Sequence, residues 1–481
     1  MPFSEVFRLH ARLRARKVAI RQGQRSIDFL CLDRAVNGTA FALRDLCIKR
    51  GDIVGVALKD SPEHLIALLA LARIGAIILP MDWRWSSDEQ RAVADRYTAQ
   101  LVLMETLPEN PPSSWRAVTP GMFAESGRIY TDAEVTDESP FLLSLSSGTT
   151  GMPKGPCVTH RQFEARFMPY WLNLSMNAND RFVLATPLYH GGGRGFTLAM
   201  IFAGATVSLF PPPYEPGELV THVAAVDGTA VFLVPTILRR LLDNQYEGLA
   251  FPSMRKLISS GSALYREERM AVRERLTPNL YEIYSSTEGG AVSITSPEDM
   301  LIAPESVGRP AFRVDVEIVD EEHRPLPVGE VGRLRYRSPA SPKGYFVGDS
   351  NEAFRDGWFY PGDLAMIDTA GFVYLKGRVK DMIIRGGMNI YPGDIEKVLL
   401  ECSGVSDAAV IGTPSREFGE ELAAFVVSTA GVTKESLVAH CKAKLAPYKV
   451  PRQVLFIDKL PRNSSGKIVK ADLERIAADA Q

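Results

Sequence analysis

A chain of 481 residues is too long for a single hydrophobic core and divides into two or more domains. With 46% hydrophobic and 23% charged residues it has an ordinary globular composition, and its formal charge of -2 excludes a global field that would recruit nucleic acid or anionic membrane. Anion binding must therefore be local. The five cysteines are scattered, which argues against zinc and a disulfide framework, and no signal-peptide core or apolar run of membrane-spanning length is present. A reducing cytoplasm, with no membrane span, is the expected setting.

From Val18 to Leu143 short apolar runs alternate with amphipathic stretches. Ile53–Leu58 reads as a buried strand, His64–Ile74 as a helix closed by Gly75, and Ala76–Pro80 as the next strand. Ser86-Ser-Asp-Glu89 is a capping box opening a helix, and Leu101–Met104 returns to strand. This rhythm specifies a mostly parallel α/β sheet. The apolar Phe141-Leu142-Leu143 then enters a polar run, in which Ser146, Ser147, Thr149 and Thr150 add hydroxyl donors. Gly148 and Gly151 free backbone N–H groups there, and Lys154 supplies a mobile charge. Such a run suits an oligophosphate, although Ser/Thr/Gly loops also join strands without binding anything, and the Walker spacing is missing.

Gln162–Leu174 reads as a helix, and Arg181–Ala185 as a strand delivering Thr186-Pro-Leu-Tyr-His-Gly-Gly-Gly193 at its C-terminal end. Further strands at Ala230–Pro235, Lys256–Ser262 and Leu280–Glu288, with a helix at Ile237–Asp243, continue the pattern. Three strand ends thus offer polar groups to one face. Alternating strands from Val314 to Tyr336 indicate a small β-rich subdomain at about 310–379. Short, more charged elements from 380 to 481 form a separate C-terminal domain. The fold expected is α/β: a large domain over 1–379 of mostly parallel sheets with helices, and a smaller α+β domain over 380–481.

Seven segments in one order resemble the adenylate-forming superfamily of acyl-CoA synthetases, luciferases and amino-acid adenylation domains. They are SSGTTGMPKG from Ser146, PLYHGGG from Pro187, SSGSAL from Ser259, YSSTE from Tyr284, GWFYPGD from Gly357, GRVKDMIIRGGMNIYP from Gly377 and PRNSSGKI from Pro461. The resemblance implies an AMP-forming acid:CoA ligase. A carboxylate attacks the α-phosphorus of ATP to give acyl-AMP and pyrophosphate, and the CoA thiol then displaces AMP. It also implies that the Ser146–Gly155 loop holds the β- and γ-phosphates, that Thr287 donates to the α-phosphate, and that Glu288 binds Mg²⁺. Ser262, Ala263 and Leu264 line adenine with Tyr284 packed on the base, flanked by Ser285 and Ser286. Asp363 accepts from the ribose hydroxyls beside Arg378. By the same resemblance Lys467 would be the catalytic lysine carried by a mobile C-terminal domain, and Lys380 the hinge. Arg385, Gly386 and Gly387 approach CoA after rotation.

His190, Gly191, Gly192, Ser260, Gly261 and Ser285 fall along the acyl pocket. His190 positions or gates the carboxylate, or is a structural hydrogen-bonder. Amino-acid-activating relatives place an aspartate where this chain has Gly191, so the acid expected lacks an α-amino group. The glycines after His190 leave space for a ring or an alkyl chain, whereas Ser285 narrows the floor, so aryl and short- or medium-chain acids both stand. Arg194 either pairs with a second carboxylate or sits at the surface. Carrier-protein phosphopantetheine is the alternative acceptor, and a non-catalytic nucleotide-binding protein the alternative class. The partners expected are the acid, ATP and CoA, with a homodimer compatible with the sequence.

Overall fold

The computed structural model describes residues 2–145, 155–348, 350, 352–386, 388–429, 431–462 and 468–479, with Asn389 by its backbone alone. Ser146, Ser147, Gly148, Thr149, Thr150, Gly151, Lys154, Gly387 and Lys467 lie outside the described residues. Two compact units are formed, one from Met1–Asp315 with Tyr336–Phe359, the other from Val316–Arg335 with Tyr360–Gln481. The second unit thus takes in part of the stretch read as the β-rich subdomain.

Among the described residues two sheets lie wholly within the first unit. One runs in the order Arg309–Pro310, Gly290–Thr295, Leu280–Ser286, Lys256–Ser260, Ala230–Leu233, Arg181–Leu184, Thr206–Leu209, Val18–Gln22, Arg25–Asp28. From Leu280–Ser286 to Val18–Gln22 every pairing is parallel, and the outer strands are antiparallel. The other sheet orders Trp115–Ala117, Leu101–Met104, Ile53–Ala57, Ile77–Pro80, Pro140–Leu143 and Cys157–Thr159, with only the last pair antiparallel. Ile53–Ala57, Ile77–Pro80 and Leu101–Met104 are buried at every residue, which is why they are continuous apolar runs rather than alternating ones.

Local signals set the helix limits. Ser61 accepts from the His64 N–H, Pro62 occupies the first turn, and Gly75 closes the helix Pro62–Ile74 at φ 71°. The Ser86/Glu89 capping box is formed. The stretch Gln162–Leu174 breaks into two helices, His160–Ala165 and Met168–Asn173, because Pro169 lacks the N–H that would continue a helical ladder and instead opens the second helix.

In the second unit the long hairpin Val405–Ser415/Gly419–Ser428 is covered on both faces. Ala408, Val410, Leu422, Ala424 and Val426 pack with Ile395, Leu399, Leu437 and Cys441 of the helices Pro392–Leu400 and Lys434–Lys444. The alternate residues Ala409, Ile411, Ala423 and Phe425 pack with Leu473 and Ala477 of the helix Lys470–Asp479. The period of two in a strand divides the hairpin between these two cores. Among the described residues no helix is long and apolar enough to cross a membrane.

Candidate active site

The strand Leu280–Ser286 ends in a turn that is locked from several sides. Ser286 Oγ pairs with the Tyr336 hydroxyl and accepts from the Gly289 N–H at 3.0 Å. Ser144 Oγ donates to the Thr287 carbonyl at 2.8 Å, and Arg166 donates to Ser144 Oγ at 3.2 Å and to the Glu288 carbonyl at 2.5 Å. Ser144 stands at the mouth of the polar run and Gly155 at its exit, where the Phe346 N–H donates to the Gly155 carbonyl. The loop is therefore tied at its entry to the turn carrying Thr287 and Glu288. The Glu288 side chain is buried and accepts from the Tyr345 hydroxyl at 3.2 Å. One carboxylate suits Mg²⁺ shared with phosphate oxygens, and among the described residues no cluster of three or more metal-ligating side chains offers a protein-only cage.

At the neighbouring strand end Ser260 Oγ donates to the Ile283 carbonyl at 2.6 Å and pairs with Ser285 Oγ at 3.0 Å, so both hydroxyls sit together at the top of adjacent strands. Gly261 follows at φ 106°, and Tyr284 is half-buried. Ser262 is half-buried and Ala263 exposed, but Leu264 is 3% exposed and belongs to the core with Met254, Leu257 and Leu276. Its apolar side chain is drawn inward, into that core.

The loop before the helix Gly191–Phe202 is held by Arg194 and by groups the sequence reading passed over, Asp60, Asp82 and Arg84. Asp60 accepts from the Leu188 N–H at 2.6 Å, while Arg194 donates to the carbonyls of Leu188 at 3.0 Å and Tyr189 at 2.9 Å. Arg84, held bidentately by Asp82, also donates to the Tyr189 hydroxyl. Arg194 is thus buried, not a surface residue. Burial, opposed by Asp82 and reinforced by Arg194 and Arg84, lowers the His190 pKa to about 4. The imidazole is neutral near pH 7 and can donate one hydrogen bond, without lending a positive charge.

The glycines after His190 differ in purpose. A Cβ at Gly191 would meet nothing within 4 Å, but one at Gly192 would lie 2.5 Å from the Phe232 ring and one at Gly193 would lie 2.3 Å from the Thr186 and Pro187 carbonyls. The last two therefore permit close packing; only Gly191 leaves open space. Phe232 stacks on Phe196 at 4.7 Å, which stacks on Tyr170 at 4.6 Å, giving an aromatic wall beside Gly192. Gly192→Ala is expected to push Phe232 aside and raise KM for bulky acids about tenfold, the effect of a misfitted contact of one to two kcal/mol. Initial-rate kinetics with small and large acids measures this.

Burial raises the Asp60 pKa to about 6, aided by Asp82 and opposed by the Leu188 N–H. The unfolded side chain titrates near 3.9, so between about pH 4 and 6 the folded state holds a proton that the unfolded state has lost. This contribution to stability is complete below about pH 4 and is lost as pH rises through 6. Asp60→Asn keeps an acceptor and removes the titration. In urea unfolding the stability of wild type relative to the variant should therefore fall from pH 4 to 7; a rise would contradict the assignment.

Within the second unit Asp363 and Arg378 are facing partners on antiparallel strands and form an ion pair at 2.9 Å, and Arg378 also donates to the Pro361 carbonyl. Lys380 is exposed on the turn Val379–Asp381. Arg385 is engaged bidentately by Glu421 at 2.6 and 2.9 Å and lies over Phe418, so meeting a CoA phosphate would require exchange of that pair. Gly386 turns the chain at φ 57° and its N–H donates to the Phe418 carbonyl.

Comparison with known proteins identifies the family. A family model described as AMP-binding enzyme matches residues 7–346, and one for the AMP-binding enzyme C-terminal domain matches 394–467. Indoleacetate–CoA ligase of Aromatoleum aromaticum is 30% identical, covering 99% of this chain and 98% of its own. The o-succinylbenzoate CoA synthetase MenE of Bacillus subtilis is similar in structure. Its complex with the acyl-adenylate intermediate OSB-AMP superimposes with a TM-score of 0.87 at 27% identity, covering 98% of this chain and 97% of that one. Its complex with ATP and magnesium ion gives a TM-score of 0.87 at 26% identity, covering 97% and 98%. The chain belongs to the AMP-binding enzyme family.

Proposed function

We propose that the protein is an ATP-dependent, AMP-forming carboxylic acid–CoA ligase acting on an aryl acid without an α-amino group. The observation that carries this reading is the bond from Ser144 to the Thr287 carbonyl, which ties the phosphate-type loop to the turn bearing Thr287 and Glu288. The aromatic wall from Tyr170 to Phe232 favours a ring over an alkyl chain, and the aromatic acid named in indoleacetate–CoA ligase agrees.

In the first half-reaction an acid oxygen attacks the α-phosphorus and pyrophosphate leaves. Positioned donors stabilise the developing charge: the Thr287 hydroxyl at the α-phosphate, the Ser146–Lys154 segment at the leaving group, and Lys467 at the α-phosphate and attacking oxygen. Glu288 would hold Mg²⁺, which supplies charge neutralisation when bound. Neutral His190 orients the acid. Rotation about Lys380 then opens the adenylate to the thiol, which displaces AMP. The second-unit residues Asp363 and Arg378 serve ribose and phosphate, and the cytoplasm supplies ATP and CoA.

A pyrophosphate-release screen of aryl, alkyl and amino acids with CoA present tests the reading. Aryl acids should give the highest kcat/KM and amino acids none above background. Amino-acid-dependent pyrophosphate exchange would overturn it.

A further inference from the structure

The backbone of Leu188–His190, which presents the imidazole, is already fixed by buried groups. Asp60 accepts from the Leu188 N–H, the Arg194 guanidinium donates to the Leu188 and Tyr189 carbonyls, and the His190 N–H donates to the Pro187 carbonyl at 3.1 Å. Asp60 and Arg194 are both under a tenth exposed, so water does not compete for these bonds.

Arg84 reaches the same segment, but it takes hold of a side chain. Asp82, itself buried, accepts from Arg84 Nε at 3.0 Å, from Nη2 at 2.8 Å and from the Arg84 backbone N–H at 2.9 Å. A guanidinium held at this fork by a carboxylate is a rigid donor. It donates from Nη2 to the Tyr189 hydroxyl, with its central carbon 5.1 Å from the middle of the Tyr189 ring. That ring lies 4.2 Å from the His190 ring, tilted by 40°. Arg84 therefore constrains the phenol and, through it, the imidazole.

The contact joins two sheets. Asp82 and Arg84 follow the strand Ile77–Pro80 of one sheet of the first unit, whereas Tyr189 and His190 follow Arg181–Leu184 of the other. Both strands pair in parallel, and the contact lies beyond their C-terminal ends, where α/β sheets present ligands. Space is open beside it: Tyr189 and His190 are only half-buried, and a Cβ added to Gly191 would meet nothing within 4 Å. An imidazole facing such space needs a fixed neighbour if its single N–H is to meet a ligand at one angle.

We propose that Arg84 is a positioning residue for the reacting carboxylate, acting through the Tyr189 ring to hold the His190 imidazole in its orienting pose. This rests on the carboxylic acid–CoA ligase reading and on the place of His190 in it.

The test is initial-rate AMP release by the purified full-length protein with ATP, Mg²⁺, CoA and either benzoic or phenylacetic acid. Arg84→Gln and Tyr189→Phe should each lower kcat/KM for the acid about tenfold, the loss expected for a charge-assisted hydrogen bond at a half-exposed site, with KM for ATP within about twofold of wild type. In a His190→Ala background the same changes should cost less than about twofold, because the ring they orient is gone. Tyr189→Phe keeps the packed ring and removes only its hydroxyl, so it decides the matter even if Arg84→Gln fails to fold. Wild-type kcat/KM in Tyr189→Phe, an equal loss with and without His190, or a parallel rise in KM for ATP would each overturn this inference and leave the ligase reading standing. No turnover of either acid, or of any other, by wild type refutes the ligase reading and this inference together.

Discussion

Replacing Lys467 with alanine is expected to lower acyl-adenylate formation about 100- to 1,000-fold, the range found when a donor aimed at developing transition-state charge is removed. The lysine lies in a polar segment whose base is closed by a bridge between Arg462 and Ile468, with Arg462 paired to Asp407 at 2.6 Å. Thioester formation from supplied acyl-adenylate should largely survive, because the lysine acts on phosphorus chemistry already complete at that stage. Single-turnover measurement of the two half-reactions separates these effects. Equal acyl-adenylate formation by wild type and variant would dismiss the assigned mechanism.

The second large effect concerns stability. Glu282 lies in the strand that leads to Thr287 and Glu288, and Arg269 pairs with it while also donating to the Pro304 carbonyl at 2.6 Å and the Ser306 carbonyl at 3.0 Å. Both side chains are under a tenth exposed. Burial raises the Glu282 pKa, opposed chiefly by Arg269. Arg269→Met would leave that carboxylate without its cation and two carbonyls without donors, destabilising the protein by about 3–5 kcal/mol. Replacing both residues, as in Arg269→Met with Glu282→Leu, should recover much of the loss, since no charge is then stranded. Urea unfolding of the single and double variants decides the matter. A single variant as stable as wild type would show that the pair does not hold the strand.

The strands and their parallel order were legible because buried strands are unbroken apolar runs, as at Ile53–Ala57, and because caps such as Ser86/Glu89 act within one turn of chain. The place of Thr287 and Glu288 just after a strand was legible, while their roles are what the family resemblance implies. What holds them was not. Arg166 resembles any arginine in a polar helix, and only the fold brings it to Ser144 and to a turn 122 residues away. Asp60 likewise reaches Leu188 across 128 residues, from a loop with no motif. The Gly191–Gly193 run misled in part, because glycine marks both empty space and tight backbone contact, and sequence does not distinguish Gly191 from Gly192. Leu264 continued a motif on paper but entered the core through its own hydrophobicity.

The most direct test is product analysis with purified protein, Mg-ATP, an aryl acid and CoA. AMP, pyrophosphate and aryl-CoA should form in equal amounts, and omission of CoA should leave enzyme-bound acyl-adenylate. Formation of ADP, AMP release that does not depend on the acid, or thioester formed only on a carrier-protein phosphopantetheine would contradict an AMP-forming acid–CoA ligase.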